Sequence, residues 1–121
     1  MKVLLIEDDE DVRCVASLSL SLLGGLQVVE ADCGKDGLEL AAKEKPDAIL
    51  LDLSLSEQES AETIDALRKN PQTADIPVVF LTTRTPNSDS SELLKLGAVG
   101  ILHKPFDPAT LASELQEIIR S

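Results

Sequence analysis

Tryptophan and tyrosine are absent from this 121-residue chain, and Phe80 and Phe106 are its only aromatic residues. That leaves no aromatic platform on which nucleic-acid bases could stack. Positive charge is scarce as well: 11 Lys and Arg stand against 22 Asp and Glu, a net charge of −11. Without a basic stripe, no direct nucleic-acid binding by this segment is expected. No apolar run reaches the roughly 20 residues of a membrane span, so no membrane association is expected either. Met1-Lys2 leads straight into a strand-like run and leaves no room for a secretory leader, which makes the cytoplasm the expected location. Cys14 and Cys33 lack metal-ligand spacing and are read as ordinary thiols. His103 is the single histidine and has no companions for a Ser-His-Asp arrangement. Gly34 and Gly37 flank Lys35-Asp36 without forming a G-x-G-x-x-G phosphate loop.

What is present is a regular alternation. Apolar runs read as strands near 2–7, 27–31, 47–52, 76–82 and 99–102 alternate with helix-like segments near 10–23, 35–45, 59–69, 88–96 and 108–120. The strand runs are nearly continuous in Val, Ile and Leu, the pattern of strands covered on both faces. Their spacing fits repeated right-handed crossovers. The expectation is a single α/β domain over residues 1–121, built on a doubly wound five-stranded parallel sheet. In the first helix Val12, Val15, Leu18, Leu22 and Leu23 recur at helical spacing and are read as its apolar stripe. Leu111, Leu115, Ile118 and Ile119 form that of the last helix. Gly24-Gly25 ends the first helix, and Asp107-Pro108 reads as an N-cap followed by proline at the first helical position.

The functional crevice of such a sheet lies at the carboxyl ends of its strands, and three polar signals fall there. Glu7, Asp8 and Asp9 follow Val3-Leu4-Leu5-Ile6, Asp52 closes Ala48-Ile49-Leu50-Leu51, and Lys104-Pro105 comes just after Val99-Gly100-Ile101-Leu102. Each alone has a plainer reading. Asp52 can cap a turn or helix, the acidic trio can complement a helix dipole, and a lone lysine is usually surface. Together they describe one pocket. Carboxylates at neighbouring strand ends repel each other, a hard divalent cation such as Mg²⁺ relieves that repulsion, and Lys104 supplies a counter-charge for a phosphoryl group. Thr82 ends the fourth run, where its hydroxyl can donate to a phosphoryl oxygen, although threonine is also a common strand residue.

Over essentially its whole length the chain resembles the receiver domain of bacterial two-component response regulators. The resemblance implies a flavodoxin-like (βα)5 fold with strand order 2-1-3-4-5 and Mg²⁺ as cofactor. It makes Asp52 the phosphoacceptor and a metal ligand, Asp8 a direct metal ligand, Glu7 a ligand through water, and the Ser54 backbone carbonyl the remaining protein ligand. Thr82 matches the switch hydroxyl, and Lys104 matches the lysine that pairs with the phosphoryl group. Gly97-Ala98 and Lys104-Pro105-Phe106 match the family's C-terminal signature. The implied partner is a histidine kinase or a histidine phosphotransfer protein, and the resemblance admits a homodimer through the 4-5 face. The implied activity is Mg²⁺-dependent self-phosphorylation from phosphohistidine, followed by self-dephosphorylation, rather than ordinary enzyme turnover.

The departures from the family pattern carry information too. After the phosphoacceptor the family commonly shows a Met/Leu-Pro-Gly-x-Asp-Gly type of loop. Here Ser54-Leu55-Ser56-Glu57-Gln58-Glu59-Ser60 lacks the proline and both glycines. Ile101 occupies the place of the family's aromatic switch, Thr83 replaces the expected small residue, and Arg84 adds a cation beside the site. The sequence thus implies phosphoryl chemistry with an atypical output switch. The alternatives are a degenerate receiver-like interaction module that works without phosphorylation, a flavodoxin-like enzyme or electron carrier, and a piece of a longer hybrid kinase or transcription regulator.

Overall fold

The computed structural model describes residues 1–52, 57–82, 97–103 and 106–120. Its strands are β1 (Lys2–Ile6), β2 (Gln27–Ala31), β3 (Ala48–Asp52), β4 (Val78–Thr82) and β5 (Gly100–His103). They form one parallel sheet in the order β2-β1-β3-β4-β5, as the sequence led us to expect. The helices are α1 (Glu10–Leu18), α2 (Gly34–Glu44), α3 (Glu57–Lys69) and α4 (Leu111–Arg120). The helix expected over 88–96 lies outside the described residues.

Side chains alternate across a strand, and this explains the unbroken apolar runs. Val3 and Leu5 of β1, with Leu50, Val79 and Leu81, pack on one face against Ala16 and Leu20 and against Leu111 and Leu115 of α4. Leu4 and Ile6, with Ile49, Leu51 and Phe80, pack on the other face against Ala41 of α2 and Ile64 and Leu67 of α3. All five residues of β3 and of β4 are buried. Gly37 lets α2 approach β1 closely, because a Cβ there would lie only 2.8 Å from Ile6 Cγ1.

The first helix departs from its reading in two ways. Its α-helical hydrogen bonding stops at Leu18 and gives way to a π turn over Ser19–Leu23, in which the Gly24 N–H reaches back to the Ser19 carbonyl at 3.1 Å. The buried Ser19 hydroxyl donates to the Pro108 carbonyl, which ties the wide turn to the residues before α4. The apolar stripe also faces the wrong way for a core. Val15, Leu18, Leu22 and Leu23 are exposed, Leu22 by 76%. The buried face is instead Ala16, Ser19 and Leu20. Helical spacing shows that a stripe exists but not which side a neighbour covers. Here small side chains, Ala16 and then Gly24 against Ala112 Cβ, set the close-approach side.

At the other end, Asp107 Oδ1 accepts from the Ala109 N–H and its carbonyl from the Leu111 N–H. Asp107 therefore caps as its sequence suggests, although regular α-helix begins at Leu111 rather than at 108. Near the base of the sheet, Arg68 of α3 donates to the carbonyls of Ala74, Ile76 and Gly97, fastening the α3–β4 connection and the approach to β5.

Candidate functional site

β1 and β3 are neighbours in register, with Ile6 opposite Leu51. The residues that follow them, Glu7 and Asp52, therefore emerge side by side at the carboxyl edge. The Glu7 N–H bonds to the Ala31 carbonyl at 3.0 Å, so β1 carries one more rung before the chain turns. Glu7 Oε1 then accepts from the Asp9 N–H at 3.1 Å, and Asp9 Oδ1 accepts from the Asp11 and Val12 N–H groups. Asp9 is thus the N-cap of α1, which removes it from the acidic trio as a site residue and leaves Glu7 and Asp8.

Those two join Asp52. One carboxylate oxygen from each of Glu7, Asp8 and Asp52 lies within 4.8 Å of the other two. Glu7 and Asp52 are buried, with 0% and 1% exposure, and Asp8 is exposed, so the cluster opens to solvent on the Asp8 side. An oxygen-only donor set of anionic groups suits a hard divalent cation, and burying two carboxylates next to a third is costly unless a cation or hydrogen bonds compensate. The residues present therefore fit Mg²⁺.

Thr82, the last residue of β4, is buried and lies one step beyond Leu81, the partner of Asp52 in the ladder. It also pairs with His103 on β5, and His103 is exposed, as a surface reading of that residue requires. Ile101 pairs with Phe80 and packs half-buried against the α2/α3 side of the core. Ser54, Thr83, Arg84 and Lys104 lie outside the described residues.

The structure brings forward two groups that the sequence did not single out. The Arg13 guanidinium, one turn into α1, donates from Nη1 to the Glu7 carbonyl at 2.9 Å and lies 3.7 Å from Glu30 Oε1 of β2. Its signal is a distance across a turn and a strand, which spacing along the chain does not display. Asp32, Cys33 and Asp36, at the start of α2, also bring one ligand atom each within 4.8 Å of the others. The sequence reads Cys33 as an ordinary thiol from the spacing of the two cysteines, which takes no account of the carboxylates beside it.

Comparison with known proteins agrees with this geometry. The family model for the response regulator receiver domain matches residues 3–116. The KDP operon transcriptional regulatory protein KdpE of Escherichia coli is 38% identical over 119 residues, covering 98% of this chain and 51% of its own length. The chain spans about half the length of several curated relatives it matches. Among solved structures, the chemotaxis response regulator CheY4 of Vibrio cholerae superposes with a TM-score of 0.85 at 33% identity, covering 97% of each chain. The receiver domain of the sensor histidine kinase PA1611 of Pseudomonas aeruginosa, solved with a magnesium ion in its active-site cleft, gives 0.84 at 28% identity, covering 99% of this chain and 98% of that one. The family match over nearly the whole length, together with the parallel sheet and its strand-end carboxylates, places this chain in the response regulator receiver domain family.

Proposed function

We propose that this domain accepts a phosphoryl group on Asp52 from the phosphohistidine of a histidine kinase or phosphotransfer protein. The observation that carries the reading is the convergence of Glu7, Asp8 and Asp52 within 4.8 Å at the carboxyl edge of β1 and β3. An Asp52 carboxylate oxygen attacks phosphorus, the phosphorus–nitrogen bond to histidine breaks, and an acyl phosphate results. Asp8, Asp52, the Ser54 carbonyl and, through water, Glu7 would hold Mg²⁺, which when bound would supply charge neutralisation at the transferring oxygens. Thr82 and Lys104 contact the phosphoryl oxygens, Thr83 and Arg84 modulate their access, and fixed positioning of these groups supplies the remaining acceleration. Water later hydrolyses the acyl phosphate.

The output is atypical in this reading. Ile101 packs against the core and has no ring to swing. Self-association through the family's 4-5 face belongs to the same reading, and Val99, just before β5, is an exposed apolar residue. Any DNA-directed output would come from a segment beyond these 121 residues.

Intact-mass measurement after treatment with a small phosphodonor tests the proposal. Wild type gains one phosphoryl group with Mg²⁺ and little without it, and Asp52→Asn gains none. Sedimentation of the same samples reports self-association. An unchanged wild-type mass would favour the phosphate-independent interaction module, for which the isoleucine at position 101 and the altered 54–60 sequence already argue.

A further inference from the structure

We infer that Arg13 is a positioning residue for the acidic cluster, an assignment that rests on the proposed phosphoacceptor function. The peptide joining Glu7 to Asp8 links the two carboxylate-bearing residues at the end of β1. Its carbonyl, and the N–H groups of the peptides on either side of it, are each held by a hydrogen bond. The Glu7 N–H is held by the Ala31 carbonyl at 3.0 Å and the Glu7 carbonyl by Arg13 Nη1 at 2.9 Å. The Asp9 N–H is held by Glu7 Oε1 at 3.1 Å. Two side chains act in this set, that of Glu7 itself and that of Arg13, and Arg13 belongs to a different element from the residues it orients. Glu30 of β2, 3.7 Å from Arg13 Nε, steadies the guanidinium from behind. A planar guanidinium that engages a carbonyl with one nitrogen and a carboxylate with another keeps its direction better than an ammonium would.

This role predicts a sign opposite to that of simple charge. Arg13 is a cation bonded to the backbone of Glu7, a member of the acidic cluster. If it acted only through its field, removing it would strengthen binding of a divalent cation. If it acts by holding the Glu7–Asp8 peptide, removing it lets that peptide rotate, spreads the ligand oxygens and weakens binding. Groups that orient metal ligands through hydrogen bonds typically change affinity by about 10–100-fold, and the lower end suits a single bond to a carbonyl.

Calorimetric Mg²⁺ titration of the whole chain separates the two. Arg13→Gln is expected to raise the Mg²⁺ Kd about tenfold. Arg13→Lys keeps the charge and one donor and recovers a large part of that loss. Glu30→Gln removes the flanking ion pair but keeps the Glu7 bond, and leaves the Kd within about twofold of wild type. Amide hydrogen exchange at Asp8 and Asp9, measured without metal, is expected to speed up in Arg13→Gln and not at the centre of β3. Unchanged or tighter Mg²⁺ binding by Arg13→Gln, in a chain whose wild type binds, overturns the inference while leaving the phosphoacceptor reading intact. Should Arg13→Gln fail to fold, a Kd for Arg13→Lys equal to wild type together with a weakened Glu30→Gln overturns it equally. A wild type that binds no Mg²⁺ brings down both readings, a different and separately visible result.

Discussion

Asp52→Asn should make the metal-free domain more stable and less responsive to Mg²⁺ at the same time. The three carboxylates of Glu7, Asp8 and Asp52 place oxygens within 4.8 Å of each other. At an effective dielectric near 20, two like charges at that separation repel by about 3 kcal/mol. Hydrogen bonds and the solvent at exposed Asp8 absorb part of this, so neutralising Asp52 is expected to stabilise the metal-free fold by about 1–3 kcal/mol. For a domain of this size the gain corresponds to a rise in Tm of roughly 5–10 °C. Mg²⁺ at a hundred times its Kd stabilises the wild type by about 2.7 kcal/mol. The variant, which lacks one anionic ligand of the proposed site, should gain much less. Thermal unfolding followed by circular dichroism, with and without saturating Mg²⁺, should therefore show the variant ahead without metal and the wild type closing the gap with it. A metal-free variant that melts below wild type, or equal Mg²⁺ shifts for the two proteins, would refute the idea that these carboxylates form a strained cation site.

Three further outcomes follow from packing. Ser60 is fully buried and its hydroxyl finds no hydrogen-bond partner among the described residues, so Ser60→Ala is expected to stabilise the fold by about 1–2 kcal/mol in urea unfolding; a loss of stability would show that the hydroxyl is satisfied. Gly37→Ala gains about 1 kcal/mol of helix propensity but drives a Cβ to 2.8 Å from Ile6 Cγ1, and the overpacking cost of roughly 1–3 kcal/mol leaves a net loss, together with weaker Mg²⁺ binding because Ile6 precedes Glu7. Leu22→Ser should change stability by less than about 0.5 kcal/mol, as befits a surface position, whereas a residue in the core would lose several; a midpoint shift of the larger size would place the stripe of the first helix inside after all.

The parallel sheet was readable because β1, β3 and β4 are buried on both faces, so each writes an uninterrupted apolar run ending in a polar residue; the strand order came with the family resemblance. Glu7, Asp8 and Asp52 were readable for the same reason: a carboxylate directly after such a run has few places to be except the sheet's carboxyl edge. What the pattern did not disclose depends on which neighbour covers which side. Val15, Leu18, Leu22 and Leu23 form a genuine stripe, yet Ala16 and Leu20 face the core, with the small residues Ala16 and Gly24 permitting close approach. The π turn at Ser19 depends on a bond to Pro108, far along the chain. The same holds for Arg13, whose significance arises only when α1 is folded back over the end of β1. Asp9 belonged to the acidic cluster by sequence and to the helix cap by geometry, a distinction set by one turn of backbone.

Arg68 has a mechanical consequence. By gripping the Gly97 carbonyl from α3 while Thr82 is locked into the ladder of β4, the chain fixes both anchor points of the stretch that links its last two strands. Drawing Gly97 away from α3 would cost one bond of the Arg68 guanidinium, while those to Ala74 and Ile76 would go on holding the entrance to β4.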